Sequence, residues 1–161
     1  GACIADDPLA NDRFGYSLAA GNFNSSTGAD DLVVGAPFDD VSGDDSAGSV
    51  QVILGSFPGG LSCVDQVWHQ DVAGVEGATE PGDNFGATLR VGRFNSGTIM
   101  DIAIGVTGED IGTIGDAGGV NVLYCTAGST CSSVGDLFIH SDVASYDDNA
   151  EWNDRLGGPL P

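Results

Sequence analysis

The apolar residues of this chain fall in short alternating runs. "SVQVIL" at 49–54 and "GVNVLY" at 119–124 put every second side chain on one face, the period of a half-buried strand. Clusters of Gly, Ser, Asn and Asp bound these runs, and such residues favour turns. The pattern predicts eight strands, near Phe14–Ala20, Asp31–Gly35, Gly48–Leu54, Val64–Gln70, Phe85–Val91, Asp101–Gly105, Gly118–Tyr124 and Val134–His140. No stretch carries a helical period with caps. The expected fold class is all-β.

The strands come in two sets of four because the chain repeats itself. "DRFGYSLAAGNFN" at 12–24 matches "DNFGATLRVGRFN" at 83–95, "AGSVQVILGS" matches "AGGVNVLYCT", and "VWHQDV" matches "FIHSDV". A third copy begins at Asn153–Gly157, where "NDRLG" repeats the "NDRFG" of Asn11–Gly15. Four antiparallel strands per repeat describe a propeller-like blade. The expected organisation is an N-terminal linker at 1–13, a first blade at 14–71, a linker at 72–84, a second blade at 85–142, and a linker with the start of a third repeat at 143–161. Two blades and a stub would leave apolar faces open, so each end calls for a neighbour or a cap.

Charge narrows the function classes. The 161 residues hold 24 Asp and Glu against four Lys and Arg, a net charge of −20. Phosphate backbones and anionic lipid surfaces would be repelled, so neither nucleic acid nor membrane insertion is expected. No apolar run approaches the roughly 18 residues that span a bilayer. So many carboxylates also repel one another, and divalent cations are the obvious counter-ions. The four cysteines suggest an oxidised, extracellular or cell-surface setting. The spacing of Cys125 and Cys131 suits a small disulfide loop, and Cys3 with Cys63 would form the remaining bridge, other pairings staying open. His69 and His140 occupy matching places in the two repeats and read as structural. No catalytic triad, Cys–His pair, phosphate loop or zinc set stands out, so no enzyme is expected.

The order Phe14-Gly15, polar loop, Gly35-Ala36-Pro37, echoed by Phe85-Gly86 and Gly105-Val106-Thr107, resembles the FG-GAP repeat family of integrin α-chain propellers and secreted bacterial proteins. The third copy offers only Leu156-Gly157. The resemblance covers nearly the whole chain. It implies propeller blades, of which about seven close a ring, and an adhesive, structural or ligand-binding role. Phe14 and Phe85 are expected as core plugs between blades, with Gly after Phe allowing backbones to approach closely.

The resemblance also implies calcium in the first loop of each blade. The first loop maps onto the family's ligand pattern as Asn22, Asn24, Ser26, Gly28 and Asp31, with a single carboxylate at Asp31. In the second loop, Arg93 replaces the first ligand, before Asn95, Gly97 and Asp101, and the expectation is an Arg93–Asp101 pair in place of the ion. Asn24-Ser25-Ser26 is also a glycosylation sequon, a use of Asn24 that competes with metal binding. Further carboxylates gather at Asp39, Asp40, Asp44 and Asp45, at Glu109, Asp110 and Asp116, and around Trp152 at Asp147, Asp148, Glu151 and Asp154. Two readings stand for the first two groups: solvated hairpins, or calcium held between neighbouring blades or chains.

The expected function is an extracellular structural or adhesive module, stabilised by calcium and polymerising with copies of itself end to end through its trailing segment. The alternative is a fragment of a longer cell-surface chain, whose further blades complete a surface for a protein or glycan ligand.

Overall fold

A computed structural model of the chain describes residues 9–25, 29–128, 131–142 and 150–158, and of 63–65 and 133–134 the backbone alone. Among these residues there are eight strands and no helix. The strands are β1 (Ser17–Gly21), β2 (Asp31–Ala36), β3 (Ser49–Ser56), β4 (Gly60–Trp68), β5 (Phe85–Gly92), β6 (Asp101–Val106), β7 (Gly119–Cys125) and β8 (Cys131–Ile139). They form two open four-stranded sheets in chain order, β1 to β4 and β5 to β8, antiparallel throughout.

The internal repeat is visible in the register. Leu32, Val33 and Val34 face Ile53, Val52 and Gln51, just as Ile102, Ala103 and Ile104 face Leu123, Val122 and Asn121. One irregularity recurs as well: the ladder shifts between Ile53 and Gly55 in sheet one and between Val122 and Tyr124 in sheet two, while a shift between Phe85 and Thr88 belongs to sheet two alone.

The last strand of each sheet differs from the sequence expectation. β4 begins at Gly60 rather than near Val64, and β8 at Cys131 rather than near Val134. The reason is the hairpin before each of them. Ser56 pairs directly with Gly60, and Cys125 with Cys131, so the backbone ladder closes well before any side-chain alternation starts. The Cys125–Cys131 disulfide ties β7 to β8 across that pairing, with Cα atoms 3.9 Å apart. Cys3 lies outside the described residues, and the side chain of Cys63 does too.

The two sheets share one core. β5 packs across β1 and β2 and touches β3. The core gathers Phe23, Val33, Val50 and Val52 from sheet one with Phe85, Leu89, Ile102, Ile104 and Leu123 from sheet two, closed by Trp68 and Val75.

Candidate functional site

The seam between repeats joins the two sheets through backbone, side-chain and core contacts. Where the chain enters β5, residues 82–86 cross back onto sheet one. Gly82 N–H donates to Asp45 O (2.9 Å), Asn84 N–H to Ser46 O (3.1 Å) and Phe85 N–H to Ala47 O (2.8 Å). The Asn84 side chain adds bonds to Ser46 O (2.9 Å) and Pro37 O (3.2 Å). Phe85 then fills the core with no exposed surface, which stabilises the seam by about 2–3 kcal/mol. Segment 82–86 acts as a plug, and the loop and strands that receive it form a socket.

Sheet two has the same socket, and the trailing segment fills it. Asn153 N–H donates to Gly115 O (3.2 Å), Arg155 N–H to Asp116 O (3.2 Å) and Leu156 N–H to Ala117 O (3.0 Å). The sequence reading offers this trailing segment to another copy, whereas here it is seated on its own chain. Leu156 is a poorer plug than Phe85, with 39% of its surface exposed.

Glycine makes both seats possible. A Cβ on Gly35 would lie 2.3 Å from Gly86 O, and one on Gly105 would lie 2.1 Å from Gly157 O. Ser17 Oγ donates to Gly86 O (2.6 Å), and Thr88 Oγ1 donates in the same way to Gly157 O. The Phe-Gly and Gly-Ala motifs are thus two halves of one close backbone approach.

Phe14 corrects a sequence expectation. It carries the same motif as Phe85 but is 45% exposed, because no sheet precedes it among the described residues. Around it, Tyr16 meets Phe38 edge-on (5.7 Å between centroids), and the Arg13 guanidinium lies 4.4 Å from the Phe38 ring centre.

The candidate calcium residues are engaged in holding loops. Asp31 is buried, and its two carboxylate oxygens accept the N–H groups of Phe23 (2.8 Å) and Gly55 (2.8 Å). Asp101 does the same for Phe94 (2.9 Å) and Cys125 (3.1 Å), and accepts from Asn95 Nδ2 (3.1 Å). Arg93 does not pair with Asp101, since Asn95 and two backbone N–H groups already occupy that carboxylate. With Arg93 at the first ligand position and Asn95 Oδ1 accepting Gly97 N–H (2.6 Å), the second loop does not fit calcium.

In the first loop, Asn22 O and Asn24 O accept N–H groups of Met100 (3.2 Å) and Gly128 (2.8 Å) from the second repeat. Ser26 lies outside the described residues, so a first-loop site would rest on Asn22, Asn24 and Asp31. The same limit falls on the sequon at Asn24, whose third residue is Ser26, and on Asp147 and Asp148.

The acidic hairpins are also ordered by their own carboxylates. Asp40 Oδ1 accepts Ser46 N–H (2.9 Å), and Asp110 Oδ1 accepts Asp116 N–H (2.9 Å), one conformation used twice. Asp39 and Glu109 are buried at matching positions, and Asp44 Oδ2 accepts from Thr79 Oγ1 (3.1 Å). Among the described residues, no three His, Cys, Asp or Glu side chains gather as a metal set. Asp31→Ala would strip two buried N–H groups of their acceptor and is expected to cost about 2–4 kcal/mol in chemical denaturation. An equal loss with calcium and with chelator marks a loop clamp, and a loss confined to calcium marks a ligand.

Sequence reasoning missed Asp83 and saw Glu109 only as part of an acidic hairpin; both are buried acids at the seam. Asp83 sits inside the plug and is buried; its carboxylate accepts Glu80 N–H (2.6 Å) and its carbonyl accepts Gly108 N–H (2.8 Å). Burial pushes its carboxyl up to about 8, against the pull of the Glu80 N–H and with help from Glu109, Glu80 and Asp110. Glu109 accepts a hydrogen bond from Gln70 Nε2 and is raised to about 7, again chiefly by burial. In a chain with 24 acids nothing in the sequence marks these two as buried.

Two clefts flank the seams. One, of about 240 Å³, lies on sheet two beyond the trailing plug, lined by Thr88, Arg90, Ala103, Gly105 and Val120. The other, of about 570 Å³, runs between Tyr16, Phe38, Asn84, Thr107 and Arg155. His69 follows β4 and His140 follows β8, so the two histidines serve different sheets. No protein-family model matches this chain, and a comparison with curated proteins gives no match.

Proposed function

We propose that this chain is an extracellular structural or adhesive module of FG-GAP type, its two sheets being propeller-like blades that continue into copies of itself or into further blades of a longer chain. The observation that carries the reading is the seam used twice. Plugs 82–86 and 153–157 seat on sheets one and two through the same hydrogen bonds. A joint that recurs in this way suits serial addition of units rather than a single pocket for chemistry. Calcium enters the reading as a counter-ion for a surface at −20, with the acidic hairpins of Asp40 and Asp110 as its first contacts. Neither catalysis nor nucleic acid binding forms part of it. No helix among the described residues is long and apolar enough to cross a membrane.

Particle mass in solution, with calcium and then with chelator, tests the proposal. Assemblies larger than one chain that shrink on chelation are the expected result. A single-chain mass in both conditions, up to the highest soluble concentration, would sink the assembly reading.

A second reading rests on the larger cleft. Its exposed Tyr16, with Phe38 under the Arg13 guanidinium and Arg155 opposite, offers aromatic faces and cations for a protein or glycan ligand. Saturable binding lost in Tyr16→Ala, by a form that does not assemble, would favour it.

A further inference from the structure

Three segments of this chain share one backbone. Asn11, Gly82 and Asn153 have φ of 82°, 94° and 64°; Arg13, Asn84 and Arg155 have 54°, 58° and 53°; Gly15, Gly86 and Gly157 have 91°, 89° and 87°. Alternate positive φ values over five residues are uncommon; Asn and Gly tolerate them, and Arg13 and Arg155 adopt them at the middle position against the usual preference. Each segment is also fixed from within. The second residue's carboxylate accepts a backbone N–H three residues upstream: Leu9 to Asp12 (2.5 Å), Glu80 to Asp83 (2.6 Å), Glu151 to Asp154 (2.7 Å). A turn bond closes the other end: Tyr16 N–H to Arg13 O (2.9 Å), Ala87 to Asn84 (3.0 Å), Gly158 to Arg155 (3.1 Å). Two of the three are seated in sockets. Asn11–Gly15 holds the seated conformation with Phe14 exposed.

We infer that Asn11–Gly15 of one copy, with the β1 strand that follows, docks on sheet two of a second copy in exchange for that copy's own Asn153–Gly157. The inference rests on the assembly reading above and names its contact. The two competing segments are Asn-Asp-Arg-Phe-Gly and Asn-Asp-Arg-Leu-Gly, so the incoming one reproduces every backbone contact of the tail and keeps its arginine.

The incoming segment also covers more apolar surface. Phe14 replaces Leu156 in a socket whose twin buries Phe85 completely. The cleft past Gly157, between Thr88, Ala103 and Val120, is then covered by β1. In sheet one the equivalent ground is covered by β5, where Leu89 is only 3% exposed, while Leu18, its counterpart on β1, is 61% exposed. Among the described residues, which end at Gly158, no strand covers that cleft on sheet two. The tail therefore acts as a built-in competitor that holds the socket until a second copy arrives. The contact joins unlike faces, so it does not close on itself and builds open chains. With both partners at −20, salt is expected to promote it.

The test uses the full chain and sedimentation across a concentration series at high salt. Gly157→Ala should release the tail, because its Cβ would lie 2.4 Å from Gly119 O and 3.0 Å from Gly105 Cα, both backbone atoms. Association is then expected at concentrations about tenfold lower or less, the conformational cost of vacating the socket having been removed. Adding Phe14→Asp and Leu18→Asp, both at exposed positions, should return that variant to single-chain mass.

A peptide of residues 9–21, added to the unmodified chain, should change Trp152 emission, since the Trp152 ring lies against Gly115 while the tail is seated. Unchanged association in Gly157→Ala, or association that survives Phe14→Asp with Leu18→Asp, would overturn the inference; the second result would leave the assembly reading standing on another surface. Displacement of the tail by the peptide without association of chains at any concentration would support the exchange and overturn the assembly reading.

Discussion

Gly86→Ala is expected to undo the joint between the sheets. Its added methyl would sit 2.7 Å from Val50 Cγ2 and 2.8 Å from Ser49 O, at a φ of +89° that already disfavours a side chain. Ser49 O belongs to the β2–β3 ladder and cannot retreat without breaking it. The backbone of 82–86 must lift, taking Phe85 out of the core and losing the bonds to Asp45, Ser46 and Ala47. A loss of more than about 4 kcal/mol follows from strain, lost burial and unpaired backbone together. The internal control is Gly15→Ala. That glycine has the same motif and nearly the same φ, +91°, yet nothing lies within 4 Å of its Cβ. It should cost only the backbone term, about 1–2 kcal/mol. Comparing the two melting transitions measures the seam directly, and similar losses in both variants would show that the close approach contributes nothing.

Stability is expected to fall as the pH rises through neutrality, and Asp83 is the group to watch. Its carboxyl is raised from 3.8 to about 8 in the folded chain, and that of Glu109 from 4.5 to about 7. Below the lower values both states hold the protons and the two groups add no pH dependence. Between about pH 4 and pH 8 the folded chain binds more protons than the unfolded one, so the slope of unfolding free energy against pH is negative. Above about 8 the loss is complete. Asp83→Asn keeps an oxygen for the Glu80 N–H and carries no charge. At pH 8 it is expected to gain about 2 kcal/mol, with Tm up by about 5 °C, and at pH 4 to change little. A variant with the pH slope of the parent chain would remove Asp83 from the account. Because Asp83 lies in the plug, the same titration loosens the seam itself.

The sequence carried the repeat and the strands well, because both are written in local alternation and in the recurrence of whole phrases such as "NDRFG" and "NDRLG". What it did not carry is which copy of a motif meets a partner. Phe14 and Phe85 sit in the same words, yet one is exposed and the other is not, since burial depends on the sheet that precedes each. Asp31 shows a second thing that sequence does not carry. Its carboxylate stands out in the sequence, whereas the Phe23 and Gly55 N–H groups that it accepts are brought together only by chain folding. Arg93 was matched to Asp101 on charge alone, and backbone donors reached that acid first. One signal for the plug was available. Asn and Gly replace one another at positions 11, 82 and 153 while the neighbouring Asp stays, as expected where φ must be positive.

Plug 82–86 belongs by chain order to the strands after it and by packing to the sheet before it, and plug 153–157 packs on the sheet before it in the same way. The units are therefore hooked together rather than strung on free linkers. A pull on the two ends of the chain would load these hooks in series. The Leu156 hook, with 39% of its surface exposed, is the first to slip, and the Phe85 hook, fully buried, holds until sheet one itself gives way. A filament assembled by the same contact would carry its tensile load at every Phe14, so its strength would be set by one aromatic ring and three backbone hydrogen bonds per link.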